Sequence, residues 1–428
     1  VGPRSLAVRA AAARTVEPHL GQEGNVLLLA PDPHARFAAV ELAGPFFAEE
    51  VLRGGYGVCS YVFAWDVHRE ALGDPELDRY LGGFGDLRMR PDLASATRLP
   101  DSVAVVCDVE WPSGSPVEVA PRQVLTTQLR ALEALDLVPS AGIEHEVILA
   151  DGQGAPLSGH GVDYAVGGTE RMAPVVTDVR TALDRAGLGV ESARAECHPG
   201  QYEIVLRHRD ALAACDDAML QQLLVRRIAA EHGCTAGYLA APQPGQGNSC
   251  HVHLSLSGVS PESGTALPPV LGSFLAGVLR DARAFTAIWA PTWNSYVRLR
   301  TAPFSPRALR WGVDDRTAAV RVAGRGGSLR LEFRFAGADA QVHLVVAALL
   351  AAGRAGITDR LSPPPAGEVV GELARTPWEA LDALLEGRAA ALLGDEVVAH
   401  QSALLRAELE AGCDAVTDWQ RARGALRS

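Results

Sequence analysis

Residues 143–149 read IEHEVIL, and this stretch sets the reading of the whole chain. Side chains on a β-strand alternate between faces, so i and i+2 point the same way. Glu144 and Glu146 therefore share one face. Two later stretches repeat the pattern. In HVHLSL (251–256), His251, His253 and Ser255 share a face, with Val252, Leu254 and Leu256 opposite. In RLEFRF (330–335), Arg330, Glu332 and Arg334 lie opposite Leu331, Phe333 and Phe335. Each strand offers one ionisable face and one apolar face. The apolar faces should pack under helices, and the polar faces should line a common cavity.

Outward from these strands, helical periodicity appears at 122–136, 174–187, 210–232, 268–289 and 340–356. Strand-like segments lie at 143–149, 201–206, 251–256, 317–322 and 328–335. The earlier part of the chain has another texture. Short apolar runs (NVLLLA, YGVCSYVFAW, SVAVVCDVEW) are broken by PDP, RGG, GGFGD and RPD, which predicts a small strand-rich domain. PSGSPVEVAP (112–121) is a turn-rich junction, so residues 1–112 and 113–428 are expected to form two domains. The Ala/Arg-rich residues 1–24 could open as a short helix.

A fourth segment, ECHPGQYE (196–203), brackets a Pro-Gly turn with two more carboxylates. The pool is then Glu144, Glu146, Glu196, Glu203, Glu332 and His251. Carboxylates with one imidazole suit Mg²⁺ or Mn²⁺ better than zinc or copper. Arg298, Arg316, Arg321, Arg330 and Arg334 crowd the same half of the chain, and arginine pairs bidentately with carboxylate and phosphate oxygens. Metals plus arginines suggest phosphoryl transfer by positioning and charge neutralisation.

Composition narrows the chemistry. The chain has 428 residues and a net charge of −12, which argues against bulk binding to nucleic acid or an anionic membrane. It contains no lysine, so all 39 basic residues are arginine. Schiff-base catalysis and a lysine P-loop are excluded. The seven cysteines are scattered without a CxxC, which fits a reducing cytoplasm better than a disulfide framework. No signal-peptide apolar region opens the chain, and Val342 to Ile357 is too short to span a bilayer.

Each polar motif alone has a plainer meaning: a solvated ExE face, a structural HxHxS, an RxExR ion-pair ladder. Their combination does not. Cys250 and His145 should face the apolar side and act structurally. Cys197 and His198 diverge as chain neighbours and lack a third partner. Trp293, Trp311 and Trp419 read as core or interface packing.

Taken together, GFGDLRMRPDL (83–93), PRQVL (121–125), IEHEVIL (143–149), HPGQYEIVL (198–206), NSCHVHLSL (248–256), APTWNSYVRL (290–299), WGVDDRTAAVRV (311–322) and RLEFRFAGADA (330–340) resemble the glutamine synthetase family over nearly the whole chain. LLGDEVVAHQSALLRAELE (392–410) and VTDW (416–419) also fit. The resemblance implies an α+β fold: a small β-grasp N-terminal domain and a large catalytic domain with a curved antiparallel sheet flanked by helices. It implies stacked hexameric rings whose active sites are completed by a neighbour's N-terminal domain. It also implies ATP-dependent phosphorylation of the glutamate γ-carboxylate, then displacement of phosphate by an amine. By this resemblance Glu146, Glu196 and Glu203 match the ligands of one divalent metal, and Glu144, His251 and Glu332 those of the other. His253, Ser255, Arg316 and Arg330 match positions around ATP, and Arg321 lies near its phosphates. Arg298, Arg334 and Gly247 match substrate contacts.

Departures from the family pattern indicate the branch. Ammonia-using members carry a flap glutamate where TAPFSP (301–306) places Phe304, and an ammonium-binding aspartate segment where this chain has GYGVCSYVFAWD (55–66). Without those two negative groups ammonium loses its electrostatic attraction. An apolar Phe304 also leaves room for a larger amine, as in the γ-glutamyl-polyamine and γ-glutamyl-ethanolamide synthetase branch. LAAPQPGQG (239–247) lacks the family's usual lysine, and QVHL (341–344) replaces an Asn-Pro helix start, with Asp339 expected as the helix cap. His400 stands nearest the adenylylation tyrosine of some members. Two rival readings remain: an ordinary glutamine synthetase using ammonia, and a catalytically silent nucleotide-binding or scaffold protein.

Overall fold

The computed structural model describes residues 24–257 and 267–427. Most of the alanine-rich opening stretch, residues 1–23, lies outside them.

The N-terminal body is a six-stranded sheet. Its strands are β1 (Asn25–Pro31), β2 (Phe37–Ala43), β3 (Tyr56–Cys59), β4 (Asp86–Pro91), β5 (Thr97–Arg98) and β6 (Ser102–Glu110). The order is β2-β1-β6-β4-β3, with β5 also on β6. β1 and β6 are parallel and every other pair is antiparallel. Leu28, Phe63, Tyr80, Met89 and Val105 fill its core. Val117, Val119 and Ala120, beyond the last strand, pack into the same core.

The larger body is built on a curved nine-stranded sheet. Its strands are β7 (Val138–Asp151), β8 (Val190–Ala195), β9 (Gln201–Leu206), β10 (Arg209–Asp210), β11 (Cys234–Gly237), β12 (Cys250–Ser257), β13 (Trp311–Val313), β14 (Val320–Ala323) and β15 (Arg330–Phe333). The order is β13-β14-β15-β12-β7-β9-β8, antiparallel except for the edge pair β13 and β14. The expected alternation is present. Val252, Leu254, Leu331 and Phe333 are buried under helices, and Cys250 and His145 share that side. The His145 ring is hydrogen-bonded to Gln222 at 3.1 Å.

The helices behind the sheet include α1 (Pro121–Glu133), α2 (Met172–Arg185), α3 (Ala211–Glu231), α4 (Pro269–Asp281), α5 (Trp293–Thr301), α6 (Val342–Thr358) and α7 (Asp395–Asp414). α6 is apolar over most of its surface, His343 and Arg354 apart, and correspondingly buried. It packs on α4 with almost no space between the backbones. A Cβ on Gly277 would stand 2.3 Å from the Ala352 carbonyl oxygen, and one on Gly356 would stand 2.1 Å from that of Ser273. Phe274 of α4 in turn meets Phe333 of β15, with ring centroids 6.3 Å apart. No helix among the described residues is long and apolar enough to cross a membrane.

Three local expectations need correction. The helix anticipated over 268–289 stops at Asp281, tightens through Ala282–Phe285 and resumes over Thr286–Trp289. The Trp289 indole takes the Ala282 carbonyl and the Thr286 hydroxyl takes that of Arg283, so side chains compete with the helical ladder. The strand anticipated over 317–322 starts only at Val320, because the Asp315 carboxylate accepts hydrogen bonds from the Thr317 amide and hydroxyl and forms a turn. Asp339 does not cap α6; Gln341 does, accepting from the His343 amide. Asp339 instead accepts from the hydroxyls of Thr292 and Ser295 at the start of α5, both at 2.7 Å. Trp311 is buried, and Trp419 is 68% exposed within this chain.

His400 of α7 ties the two bodies together, its Nε2 2.6 Å from the Phe63 carbonyl. Burial pushes its pKa down to about 4. The unfolded chain protonates this ring below about 6.5, whereas the folded chain resists until about 4. Stability is therefore lost as pH falls through that window, at most about 1.4 kcal/mol per pH unit. His400→Gln retains a donor for Phe63 but cannot take up a proton. Melting curves of parent and variant should diverge between pH 6.5 and pH 4; parallel curves would show that His400 is not the titrating group.

Candidate active site

Register alone assembles the site. Glu144 of β7 stands opposite His251 of β12, and Glu146 opposite Glu203 of β9. His253 stands opposite Glu332 of β15, and Glu332 opposite Arg321 of β14. Opposed residues share a face. One cavity of ≈ 720 Å³ receives them all. Glu196, Ser255, Phe304, Arg316, Arg330 and Arg334 line it as well. Arg298 and Gly247 line a smaller pocket that opens beside it and shares Glu146, Glu196, His251, Phe304 and Arg334.

Two acidic groups result. Glu146, Glu196 and Glu203 each present an oxygen within 4.8 Å of the others. Hard oxygen donors so close together could hold a divalent cation such as Mg²⁺ or Mn²⁺. Burial, then the neighbouring Glu146 carboxylate, push Glu196 up to about 7. Burial and the facing Glu144 carboxyl raise Glu203 as well. Crowded carboxylates that resist ionisation together call for added positive charge.

The second group is Glu144, His251 and Glu332. His251 Nδ1 lies 3.1 Å from Glu144 and 3.9 Å from Glu332. His253 Nε2 also reaches Glu144, at 3.1 Å. Arg330 Nε donates to His253 Nδ1 at 3.2 Å, so a neutral His253 carries its proton on Nε2 and donates to Glu144. Burial opposes ionisation of Glu144, but its two histidine partners more than offset it and hold the carboxyl well below the usual range. Burial likewise opposes ionisation of Glu332, yet His251, Arg334 and His253 bring it down to about 2.

The arginines divide into fixed and free. Arg298 on α5 is 3% exposed and donates to the carbonyls of Phe335 (2.7 Å) and Arg334 (3.2 Å). Burial lowers its pKa to about 10. Arg334 and Arg321 both grip Glu332. Arg316 is exposed at the cavity edge. Phe304, 58% exposed, sits where the two pockets meet.

Four contributors lie outside the residues that the sequence motifs single out. Gln201 donates through Nε2 to Glu146 (3.0 Å) and to the Gly247 carbonyl (2.8 Å), linking the pockets. The Ser249 amide donates to Glu146 at 2.6 Å. Arg194 enters the acidic triad from β8, and Tyr164 flanks it. The ARAE spelling puts Arg194 and Glu196 at i and i+2, the same signal that exposed the ExE motif. Cys197 is exposed and its thiol reaches Asp163 at 3.4 Å, so no Cys197–His198 pair forms.

Residues 118–423 match the family model for the glutamine synthetase catalytic domain. The gamma-glutamylethanolamide synthetase GlnA4 of Streptomyces coelicolor is 38% identical, over 94% of this chain and 93% of that protein. The glutamate–isopropylamine ligase of a Pseudomonas species is 30% identical, over 90% of this chain and 91% of its own. Among solved structures, "GmaS/ADP complex-Conformation 1" superposes with a TM-score of 0.84 at 25% identity, covering 97% of this chain and 99% of that one.

Proposed function

Since the chain belongs to the glutamine synthetase family, we propose that it is an ATP-dependent carboxylate–amine ligase that forms a γ-glutamyl amide from glutamate and an amine larger than ammonia. The observation that carries this reading is Phe304, an apolar side chain where the two pockets meet. The two relatives named above, each a ligase of an organic amine, support it.

In this reading Glu146, Glu196 and Glu203 hold one divalent cation, Mg²⁺ or Mn²⁺, and Glu144, His251 and Glu332 the other. Cations held there would supply neutralisation of the charge on the ATP phosphate oxygens. A γ-carboxylate oxygen of glutamate attacks the terminal phosphorus and ADP leaves, giving γ-glutamyl phosphate. The neutral amine then attacks the acyl carbon, phosphate leaves, and the amine nitrogen gives up a proton. Arg316, Arg321 and Arg330, with His253 and Ser255, line the ATP side. Arg298, Arg334 and Gly247 hold glutamate. The two backbone carbonyls on Arg298 fix its guanidinium before substrate arrives, which lowers the cost of orienting the acid. Phe304 gives the amine's carbon portion an apolar surface in place of an acidic ammonium site.

We further assign stacked hexameric rings and a cytoplasmic setting. We assign the N-terminal body to 1–112 and the catalytic body to 113–428, with Val117, Val119 and Ala120 of the latter packing back into the N-terminal core.

The deciding experiment is phosphate release from ATP with Mg²⁺ and glutamate, against ammonium, ethanolamine, putrescine, spermidine and aromatic amines, with products identified by mass. Turnover with an organic amine and none with ammonium is expected. Efficient turnover with ammonium would reassign the protein as an ordinary glutamine synthetase. Silence with every amine would favour the scaffold reading.

A further inference from the structure

Arg194 makes more contacts in the acidic triad than any role in backing the sheet requires. It stands opposite Glu203 across β8 and β9. Its Nε lies 2.9 Å from Glu203 Oε1 and its Nη2 3.2 Å from Glu203 Oε2, a forked pair on one carboxylate. Nη2 also lies 2.7 Å from Glu196 Oε1. One guanidinium thus covers two of the three carboxylates that converge within 4.8 Å. Its other edge has a separate berth: Nη1 donates to the Tyr164 hydroxyl at 2.7 Å, and the guanidinium carbon sits 5.1 Å from that ring's centroid. Tyr164 holds a left-handed backbone (φ +57°), an uncommon conformation for an aromatic residue. Arg194 is on the edge strand of the sheet, and its side chain is 31% exposed, so it has a route away from the acids.

We propose that Arg194 is a built-in counter-ion of the Glu146–Glu196–Glu203 triad, which holds the carboxylates paired until a divalent cation displaces it toward Tyr164 and solvent. This rests on reading the triad as a metal site. Two positive charges cannot share the same oxygens without repulsion. The guanidinium keeps the three carboxylates organised before metal binds and at the same time weakens metal binding there. Arg194 is in this sense a positioning residue that sets the metal concentration at which the site fills.

The test is Mn²⁺ binding to the full chain without ATP or glutamate, followed by electron paramagnetic resonance. Arg194→Gln should bind Mn²⁺ at the triad at least tenfold more tightly than the parent. Its metal-free form should melt at a lower temperature, and Mn²⁺ should raise its melting temperature by more than it raises the parent's. If Arg194→Gln does not fold, Arg194→Lys, which loses the fork but keeps the charge, should show a smaller tightening. Unchanged or weaker Mn²⁺ binding in the folded variant would overturn the proposal alone. If Glu203→Gln leaves Mn²⁺ binding to the parent chain untouched, the triad is not a metal site and both readings fall.

Discussion

Replacing Glu332 with alanine is expected to reduce amine-dependent phosphate release by about a thousandfold, a loss comparable to removing one preorganised charge-stabilising group from an enzyme site. Glu332 is buried and gripped by Arg321 and Arg334, with the His251 imidazole 3.9 Å away. Burial opposes its ionisation, but His251, Arg334 and His253 bring its pKa down to about 2. Alanine would leave two guanidiniums and an imidazole facing one another across an uncompensated gap. Glu332→Gln separates charge from shape: it preserves the volume, retains one acceptor and should lose activity nearly as far. Phosphate release with the preferred amine, at saturating ATP and glutamate, measures both. Activity within tenfold of the parent in Glu332→Gln would remove this carboxylate from the chemistry.

Arg122→Ala should cost about 3–5 kcal/mol of folding stability, the usual result of stripping one partner from a buried charge network. Arg122 is 2% exposed at the start of α1. Its guanidinium bonds Asp92 and Asp108 of the N-terminal body and, at 3.0 Å, Asp216 of α3. His343 of α6 lies 3.0 Å from the same Asp216. Four segments from both bodies therefore meet at one cation. Burial opposes ionisation of Asp216, but Arg122 and His343 overcome it and hold the carboxyl far below its usual range. A depressed carboxylate contributes stability above its unfolded pKa and loses that contribution as pH falls through its folded one. At neutral pH the contribution is fully present, so denaturant unfolding at pH 7 is the sensitive measurement. A change below about 1 kcal/mol would show that neighbouring groups or water take over the role of Arg122.

The cavity-lining set was legible in the sequence because β-strands write their faces at a spacing of two. Glu144 and Glu146, His251 and His253, Arg330 and Glu332 could be sorted without knowing which strands pair. What could not be read was anything decided by a partner distant in the chain. The register that puts Glu146 beside Glu203 is a tertiary fact. So is the break in the helix near Asp281, where the Trp289 indole claims a carbonyl seven residues earlier. Asp339 looked like a cap because it precedes a helix; its real partners, Thr292 and Ser295, lie more than forty residues upstream. Arg194 passed unnoticed for a different reason. It obeys the same i, i+2 rule as the acids, but an arginine beside two carboxylates on a strand spells an ordinary ion pair.

The close seam between α4 and α6 has a mechanical consequence. Side chains usually separate packed helices by a layer that can yield; here Gly277 and Gly356 remove that layer, and Phe274 couples the pair to β15. The wall behind the cavity is therefore a stiff plate, with little free volume to give up under pressure and no room to slide. Any breathing that admits three substrates and releases three products must come from the opposite rim, where Phe304, Arg316 and Tyr164 are exposed.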